Sequence, residues 1–335
     1  MRKVAFVFPG QGSQMVGMGH DLFQVSPRAR QVFEEADETL GFSLSRLCFG
    51  GPEDKLRQTV NTQPAVMTAS LACLRAAFGE GNGIQPALWN GSFTGPAFVA
   101  GHSLGEYTAL VAAGVLSFSD GIRLVQERAC LMQEAGEKRP GGMAAIIGLD
   151  LISLEEVCQE TGTEIANINS PEQTVISGTN NGLAWAMDLA KARGARRVIR
   201  LDVSGGFHSF LMQSAVKGLA RAASQFDFSN PLVPLVANTT AYPASTAEEV
   251  RSGILRQVCG CVHWQSSIEY MIDVGVSTFI EIGPGRVLTG LIKRISKDVE
   301  VLNISDVDSL VAGSGFWDSQ FKGYGADQLT VNREP

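Results

Sequence analysis

No apolar run in this sequence reaches the roughly 20 residues a membrane-spanning helix needs. The longest candidate is interrupted by His102, Ser103 and Glu106. Charged residues make up only 18% of the chain and sum to −7, so neither nucleic acid nor an anionic membrane is expected as the main partner. An acidic partner has to find a local basic patch. Met1-Arg2-Lys3 runs straight into a strand-like stretch with no signal-peptide core or cleavage site, which predicts a cytoplasmic protein. The six cysteines (Cys48, Cys73, Cys130, Cys158, Cys259 and Cys261) have neither metal-ligand nor disulfide spacing. Cys259-x-Cys261 is too close for a CxxC redox pair, so free thiols and no metal are expected. Histidine is scarce as well, at four residues. What is present, 335 residues at 44% hydrophobic, suffices for one large domain or two modest ones.

The most informative stretch is Gly101-His102-Ser103-Leu104-Gly105, a serine between two glycines. Ala97 to Ala100 before it is strand-like; Glu106 to Ala113 after it is helical in composition and stops at Gly114. Strand, sharp turn and helix form the setting of a nucleophile elbow, where strained backbone calls for glycine two residues to either side. Such a turn places the serine oxygen and the next backbone N–H at a helix N-terminus, which favours negative charge.

Along the chain, Val4 to Phe8 reads as a buried strand leading into the loop Pro9-Gly10-Gln11-Gly12-Ser13-Gln14. A helical segment spans 21–40, and Gln63-Pro64 precedes another at Ala65 to Phe78. Residues 79–96 read as a surface loop. Ser117 or Ser119 caps a long helix ending at Gly136. Then the pattern changes: strands at Met143–Leu149, Glu164–Asn169, Gln173–Gly178 and Arg196–Val203 alternate with helices at Ser153–Thr161 and Asn180–Arg193. That βαββαβ order is the ferredoxin-like split unit. Short buried strands resume afterwards, at Leu232–Ala237 and Thr278–Ile282. The fold class expected is α/β: a large domain from 1–138 and 204–312, interrupted by a ferredoxin-like small subdomain at 139–203. Residues 313–335 form an irregular tail carrying Phe316, Trp317, Phe321 and Tyr324.

A nucleophilic serine needs a base. His102 adjoins Ser103, but an elbow turns that side chain away from the reacting atom, and His20 has polar surroundings. His208 follows a predicted strand in Ser204-Gly205-Gly206-Phe207-His208-Ser209, the kind of loop where active sites collect, and is the expected base. No acid stands out as a third member, and a backbone carbonyl would orient the imidazole equally well. Arg128 shares a helical row with Leu124, Leu131 and Ala135. An arginine there must reach water, an internal ion pair, or the carboxylate of a substrate. Gly10-Gln11-Gly12 fails the dinucleotide fingerprint, because Met15 stands at the third glycine position. A loop offering N–H groups to an oxyanion fits it better.

Taken together, Phe8-Pro9-Gly10-Gln11-Gly12-Ser13-Gln14, Gly101-His102-Ser103-Leu104-Gly105-Glu106-Tyr107, Gln126-Glu127-Arg128, Asn167-Ile168-Asn169-Ser170-Pro171, Gly206-Phe207-His208-Ser209 and Glu281-Ile282-Gly283-Pro284-Gly285 resemble the malonyl-CoA:acyl carrier protein transacylases. These are the acyltransferases of fatty acid and polyketide synthesis. The resemblance spans about residues 3 to 305 and implies an α/β-hydrolase-like core carrying a ferredoxin-like subdomain. It implies Ser103 as nucleophile, His208 as base, Gln11 and Leu104 as backbone oxyanion donors, and Arg128 as partner of the malonyl carboxylate. Phe207, Asn167, Asn169 and His102 are implied around the substrate pocket, with Phe207 excluding a methyl branch by bulk. The implied reaction is ping-pong through a malonyl-serine: malonyl-CoA donates and the phosphopantetheine thiol of acyl carrier protein accepts, with no permanently bound cofactor and a monomeric enzyme.

His263 stands before Trp264 where several relatives carry glutamine, and the main-chain carbonyl there is expected to orient His208. Two other readings use the same residues. A thioester hydrolase would share the scaffold, although neutral acyl groups need no guanidinium; a non-catalytic holder of acyl carrier protein would need neither elbow nor base. Two basic patches are candidates for docking the carrier protein: Lys191, Arg193, Arg196 and Arg197 in the small subdomain, and Lys293, Arg294 and Lys297 in the large domain.

Overall fold

A computed structural model describes residues 2–78, 95–314 and 316. Strands form where short β-branched and aromatic runs are bounded by glycine or proline: β1 (Lys3–Phe8), β2 (Phe98–Gly101), β3 (Gly141–Ile147), β4 (Glu164–Ser170), β5 (Gln173–Thr179), β6 (Arg197–Arg200), β7 (Leu235–Val236), β8 (Pro243–Ala244), β9 (Val276–Ile282) and β10 (Glu300–Ile304). They make two sheets. The larger has the order β10-β9-β1-β2-β7-β8 and is parallel except for the β7–β8 edge.

The central strand β1 is buried from Val4 to Phe8. Its side chains alternate between two cores: Val4, Phe6 and Phe8 on one face, Ala5 and Val7 on the other. Burial on both faces is why the run reads as continuously apolar rather than alternating.

The smaller sheet, β4-β5-β3-β6, is antiparallel throughout. With the helices Leu151–Thr161 and Asn180–Ala192 it forms the expected βαββαβ unit, the connecting pairs β3–β4 and β5–β6 each being split by another strand. Ala144, Ile146 and Ile176 pack under those helices. Met143, Ala145 and Val175 point the other way, into the core of the large sheet's layer. The small sheet is also tied by backbone to the segment before the helix Trp264–Asp273: Ile168 N–H donates to Val262 O and Val262 N–H to Ala166 O, at 2.9 and 2.8 Å. The face that β4 turns toward the large sheet is therefore held in place by hydrogen bonds as well as packing.

Several boundaries differ from the sequence expectation. The helix expected to begin at Ala65 spans Thr59–Phe78 with Pro64 inside it. Pro64 is the sixth residue, past the first turn where proline loses nothing, so the helix forgoes one bond there and is held by burial along most of its length. The segment 21–40 is two helices, because Ser26 caps a new start with Pro27 at its first position. The run Arg196–Val203 pairs only over Arg197–Arg200 and Leu232–Ala237 only over Leu235–Val236. Most of the predicted 79–96 loop and of the 313–335 tail, including Trp317, Phe321 and Tyr324, lies outside the described residues. Among the described residues no helix is long and apolar enough to cross a membrane.

Candidate active site

The helix Leu104–Ala112 leaves β2 through a single residue, and that residue carries the strain: Ser103 has φ 52°, ψ −105°, a region a side chain rarely occupies. The flanking glycines have a different job from the one expected of them. Neither has a positive φ; both are needed because backbones touch. A Cβ on Gly101 would sit 1.9 Å from the Gly105 carbonyl, and one on Gly105 would sit 2.1 Å from Phe8 O. Gly10 is confined likewise, 2.3 Å from His102 O, so the Pro9-Gly10-Gln11 loop lies against the elbow. Leu104 opens the helix, where an N–H has no intrahelical acceptor. The Ser103 N–H is not available in the same way, since it donates to Asn238 Oδ1 at 2.8 Å.

His208 and Ser103 meet across the cleft: Oγ to Nε2 is 2.7 Å. The other imidazole nitrogen, Nδ1, lies 2.8 Å from Gln257 O, and a carbonyl there can only accept, so the proton sits on Nδ1 and Nε2 is free to take one. The orienting carbonyl thus belongs to Gln257 and not to the His263 position; His263 instead donates its N–H to Asn238 O. Burial, reinforced by the Arg128 charge, holds the His208 imidazole down to about 3. At neutral pH it is an uncharged base.

Arg128 comes from the long helix Phe118–Lys138, capped by Ser117 as one of the two expected serines. It is 1% exposed. Its guanidinium donates to Gln63 Oε1 at 2.7 Å, Gln257 Oε1 at 2.9 Å and Ser103 Oγ at 3.2 Å, and lies over the Tyr107 ring at 4.9 Å. Of the three readings open for an arginine in an apolar row, solvent is excluded by burial. Its hydrogen-bond partners among the described residues are neutral. Its Nε is buried without a partner. A full charge held by amides beside a nucleophile is a site for an anion.

Gln11, Leu104, Arg128, Phe207, His208 and Asn167 border the small cavity of about 90 Å³ in front of Ser103. It shares Gln11, His102, Asn167 and Leu201 with a wider cleft of about 450 Å³, whose rim carries Arg286 and Arg294. His102 borders both, its Nε2 2.8 Å from Asn169 Oδ1 and bonded there in place of Ser103. Asn167 is buried with its Oδ1 unpartnered. The nine residues singled out from the sequence therefore all converge on one place.

Sequence reasoning missed four residues behind the site. Gln257 is the hub: its carbonyl faces His208, its Oε1 faces Arg128, and its Nε2 donates to Ser103 O at 2.8 Å and Glu106 Oε2 at 2.7 Å. Asn238 spans the elbow, donating from Nδ2 to Gly101 O at 2.7 Å. Gln63 is hidden because Gln63-Pro64 reads as the lead-in to a helix starting at Ala65, and Glu106 carries no role of its own in the elbow motif. Glu281, in the last motif, is structural: its carboxylate accepts from Leu288 N, Thr289 N and Thr289 Oγ1, anchoring the start of the helix Val287–Ile295.

Comparison with known proteins agrees with this geometry. The acyl transferase domain family matches residues 5–311. The malonyl CoA-acyl carrier protein transacylase of Bacillus subtilis (strain 168) is 43% identical over 315 residues, covering 92% of this chain and 96% of its own. A solved acyl-carrier-protein-S-malonyltransferase from Bartonella henselae superposes with a TM-score of 0.87 at 41% identity, over 94% of this chain and 99% of that one. A malonyl-transacylase solved in complex with its type II PKS acyl-carrier protein gives 0.86 at 40% identity, over 92% and 98%. The chain belongs to the malonyl-CoA:acyl carrier protein transacylases of the acyl transferase domain family.

Proposed function

We propose that this protein transfers malonyl from malonyl-CoA to the phosphopantetheine thiol of acyl carrier protein through Ser103. His208 Nε2 takes the Ser103 proton as Oγ attacks the thioester carbonyl. The N–H groups of Gln11 and Leu104 receive the oxyanion, each worth ~10²–10³ in rate. Collapse expels the CoA sulfur, which leaves with the proton from His208, and malonyl remains esterified to Ser103. The carrier's thiol then gives its proton to His208, attacks the ester and regenerates the serine. The observation that carries this reading is Arg128, a buried cation on neutral partners 3.2 Å from the nucleophile. It suits an acyl group that ends in a carboxylate and speaks against a hydrolase of neutral thioesters. Phe207, which lines the cavity beside the base, would disfavour a methyl branch by roughly 1–3 kcal/mol.

The same reading takes 1–138 and 204–312 as the large domain, 139–203 as an inserted subdomain and 313–335 as a tail. It places the protein in the cytoplasm as a monomer with free thiols and no resident cofactor. For the carrier protein it favours the large-domain patch of Lys293, Arg294 and Lys297: Arg294 lines the cleft, with Arg286 outside the patch beside it, whereas Arg193 and Arg196 are engaged by Glu156, Glu160 and Glu172. Intact-protein mass spectrometry after brief mixing with malonyl-CoA tests the proposal. The expected result is a malonyl adduct, lost in Ser103→Ala and discharged by holo-acyl carrier protein. A folded protein that takes up no malonyl would overturn it.

A further inference from the structure

The mechanism above gives no part to the buried carboxyl group of Glu106. Glu106 is 1% exposed and lies three residues after the nucleophile. Its Oε2 accepts from Gln257 Nε2 at 2.7 Å and its Oε1 accepts from Asn238 N at 3.3 Å. Both partners are themselves fully buried, so neither bond has water as a substitute.

The geometry points to Glu106 as a positioning residue for the carboxylate clamp. An amide side chain can sit either way round, and only its hydrogen-bond partners decide. Glu106, with the Ser103 carbonyl beside it, demands a donor, so the Gln257 amide turns its nitrogen toward the elbow and its oxygen toward Arg128. Asn238 is set the same way: Gly101 O takes its nitrogen, leaving Oδ1 to face Ser103 N and Gln257 Nε2. The Gln257 oxygen then accepts from the same Arg128 nitrogen that reaches Ser103 Oγ. One carboxylate thus fixes where the guanidinium stands relative to the nucleophile. The base is set by a different part of Gln257, its main-chain carbonyl, and does not depend on which way the amide faces.

Glutamine at 106 cannot replace glutamate. It has one acceptor where two are needed, so it must present N–H either to Asn238 N–H or to the Gln257 amide. The second choice turns Gln257 over and puts N–H against the Arg128 guanidinium. This inference rests on the proposed role of Arg128 in holding malonyl, and the experiment separates the two. Rates of Ser103 acylation by malonyl-CoA and by acetyl-CoA are measured by quenched intact-mass spectrometry for the wild type, Glu106→Gln, Gln257→Met and the double variant. Methionine at 257 keeps the main-chain carbonyl and removes the amide.

Each single variant is expected to slow malonyl loading by roughly 10- to 100-fold, the effect of one hydrogen bond to a charged group. Acetyl loading should fall less than malonyl loading in each variant, so that the malonyl-to-acetyl ratio drops by roughly 10-fold, and the double variant should be no worse than the singles, because both remove one device. A parallel fall of malonyl and acetyl loading would mean a merely structural role and overturn the inference, as would multiplying effects or faster malonyl loading in Glu106→Gln. If Glu106→Gln does not fold, an unchanged malonyl-to-acetyl ratio in Gln257→Met overturns it alone. Failure of the wild type to load malonyl would strike the proposed function instead.

Discussion

Two sets of arginines in this molecule live under opposite rules. On the small sheet's layer, Arg193 pairs with Glu156 at 2.5 Å and with Glu160, and Arg196 pairs with Glu172 at 2.7 Å. These charges are matched by opposite charges in contact with water, where a pair contributes at most about 1 kcal/mol. Arg128 is fully buried, and its hydrogen-bond partners are two amide oxygens and a hydroxyl. Desolvating a cation costs several kcal/mol, and amides with an aromatic face offset only part of that. A fold that carries such a cost with no counter-ion in hydrogen-bond contact keeps the charge for something that arrives. The contrast says that charge density is a poor guide to function here, and that the compensation of each charge is a good one.

Removing the buried member should have the largest effect. Arg128→Ala strips hydrogen bonds from Gln63 and Gln257 and the cation from the pocket, and it is expected to slow malonyl loading by ~10²–10³, two charged hydrogen bonds' worth, with a much smaller loss for acetyl. Stopped-time mass spectrometry reads both. An Arg128→Ala enzyme that loads malonyl at the wild-type rate would erase the distinction between the two sets. Lysine at 128 should fall between, since one ammonium cannot reproduce the planar fork that meets Gln63 and Gln257 together.

Acidification offers a sharper cut within the buried set. Burial holds His208 down to about 3 and pushes Glu106 up to about 7. The titratable groups facing Glu106 are Arg128 from the helix Phe118–Lys138 and Tyr107 from its own helix; burial pushes Tyr107 up to about 12, so neither changes charge near neutrality. As pH falls from 8 to 5.5, His208 stays neutral and acetyl loading should be flat. Glu106 gains a proton over that window and loses one acceptor, so malonyl loading should drop by about ten-fold through a single limb near 7. Glu106→Gln should lack the limb. A shared limb for both acyl donors would assign it to the base.

At the cleft's edge the expected effect is smaller. Arg294 donates to Gln173 at 3.1 Å and lines the cleft, while Arg193 is not among the residues lining it. Arg294→Glu should lower kcat/KM for acyl carrier protein by about ten-fold at low salt, and by less at high salt, as rim charges act mainly on encounter. Arg193→Glu should leave it within about two-fold. Equal effects would move docking to the small sheet's face.

How far the sequence reached follows the same division. Motif residues that must be one chemical type, such as Ser103, His208, Arg128 and the glycines packed against backbone, are legible because nothing else fits. The βαββαβ unit was readable too, since its turns and periodicity are local. Gln257, Asn238 and Gln63 were not, because an amide carries no pattern until distant segments bring donors and acceptors to it; Gln257 lies 154 residues from Ser103. Pro64 misled in the other direction, a local helix breaker overridden by packing of its helix, which is buried over most of its length. His263 drew attention as an odd histidine, yet the carbonyl that matters comes six residues earlier.

The smallest effect belongs to the exposed pairs. Arg193 is 26% exposed at its side chain, and Glu156 and Glu160 are 60% and 48% exposed. Truncation by Arg193→Ala returns two solvated carboxylates to water, loses a screened attraction, and frees a side chain whose ordering had cost entropy. The stability loss should be at most ~1 kcal/mol, a fall in Tm of only a few degrees for a chain of this size, with malonyl loading unchanged. Calorimetry at low and high salt gives the decisive reading. If the fall in Tm matches that of Arg128→Ala and does not shrink with salt, the pair is not a screened surface contact. Arg193 would then have to be regarded, like Arg128, as a charge the fold depends on, and the division between the two sets would fail from the side where it looked safest.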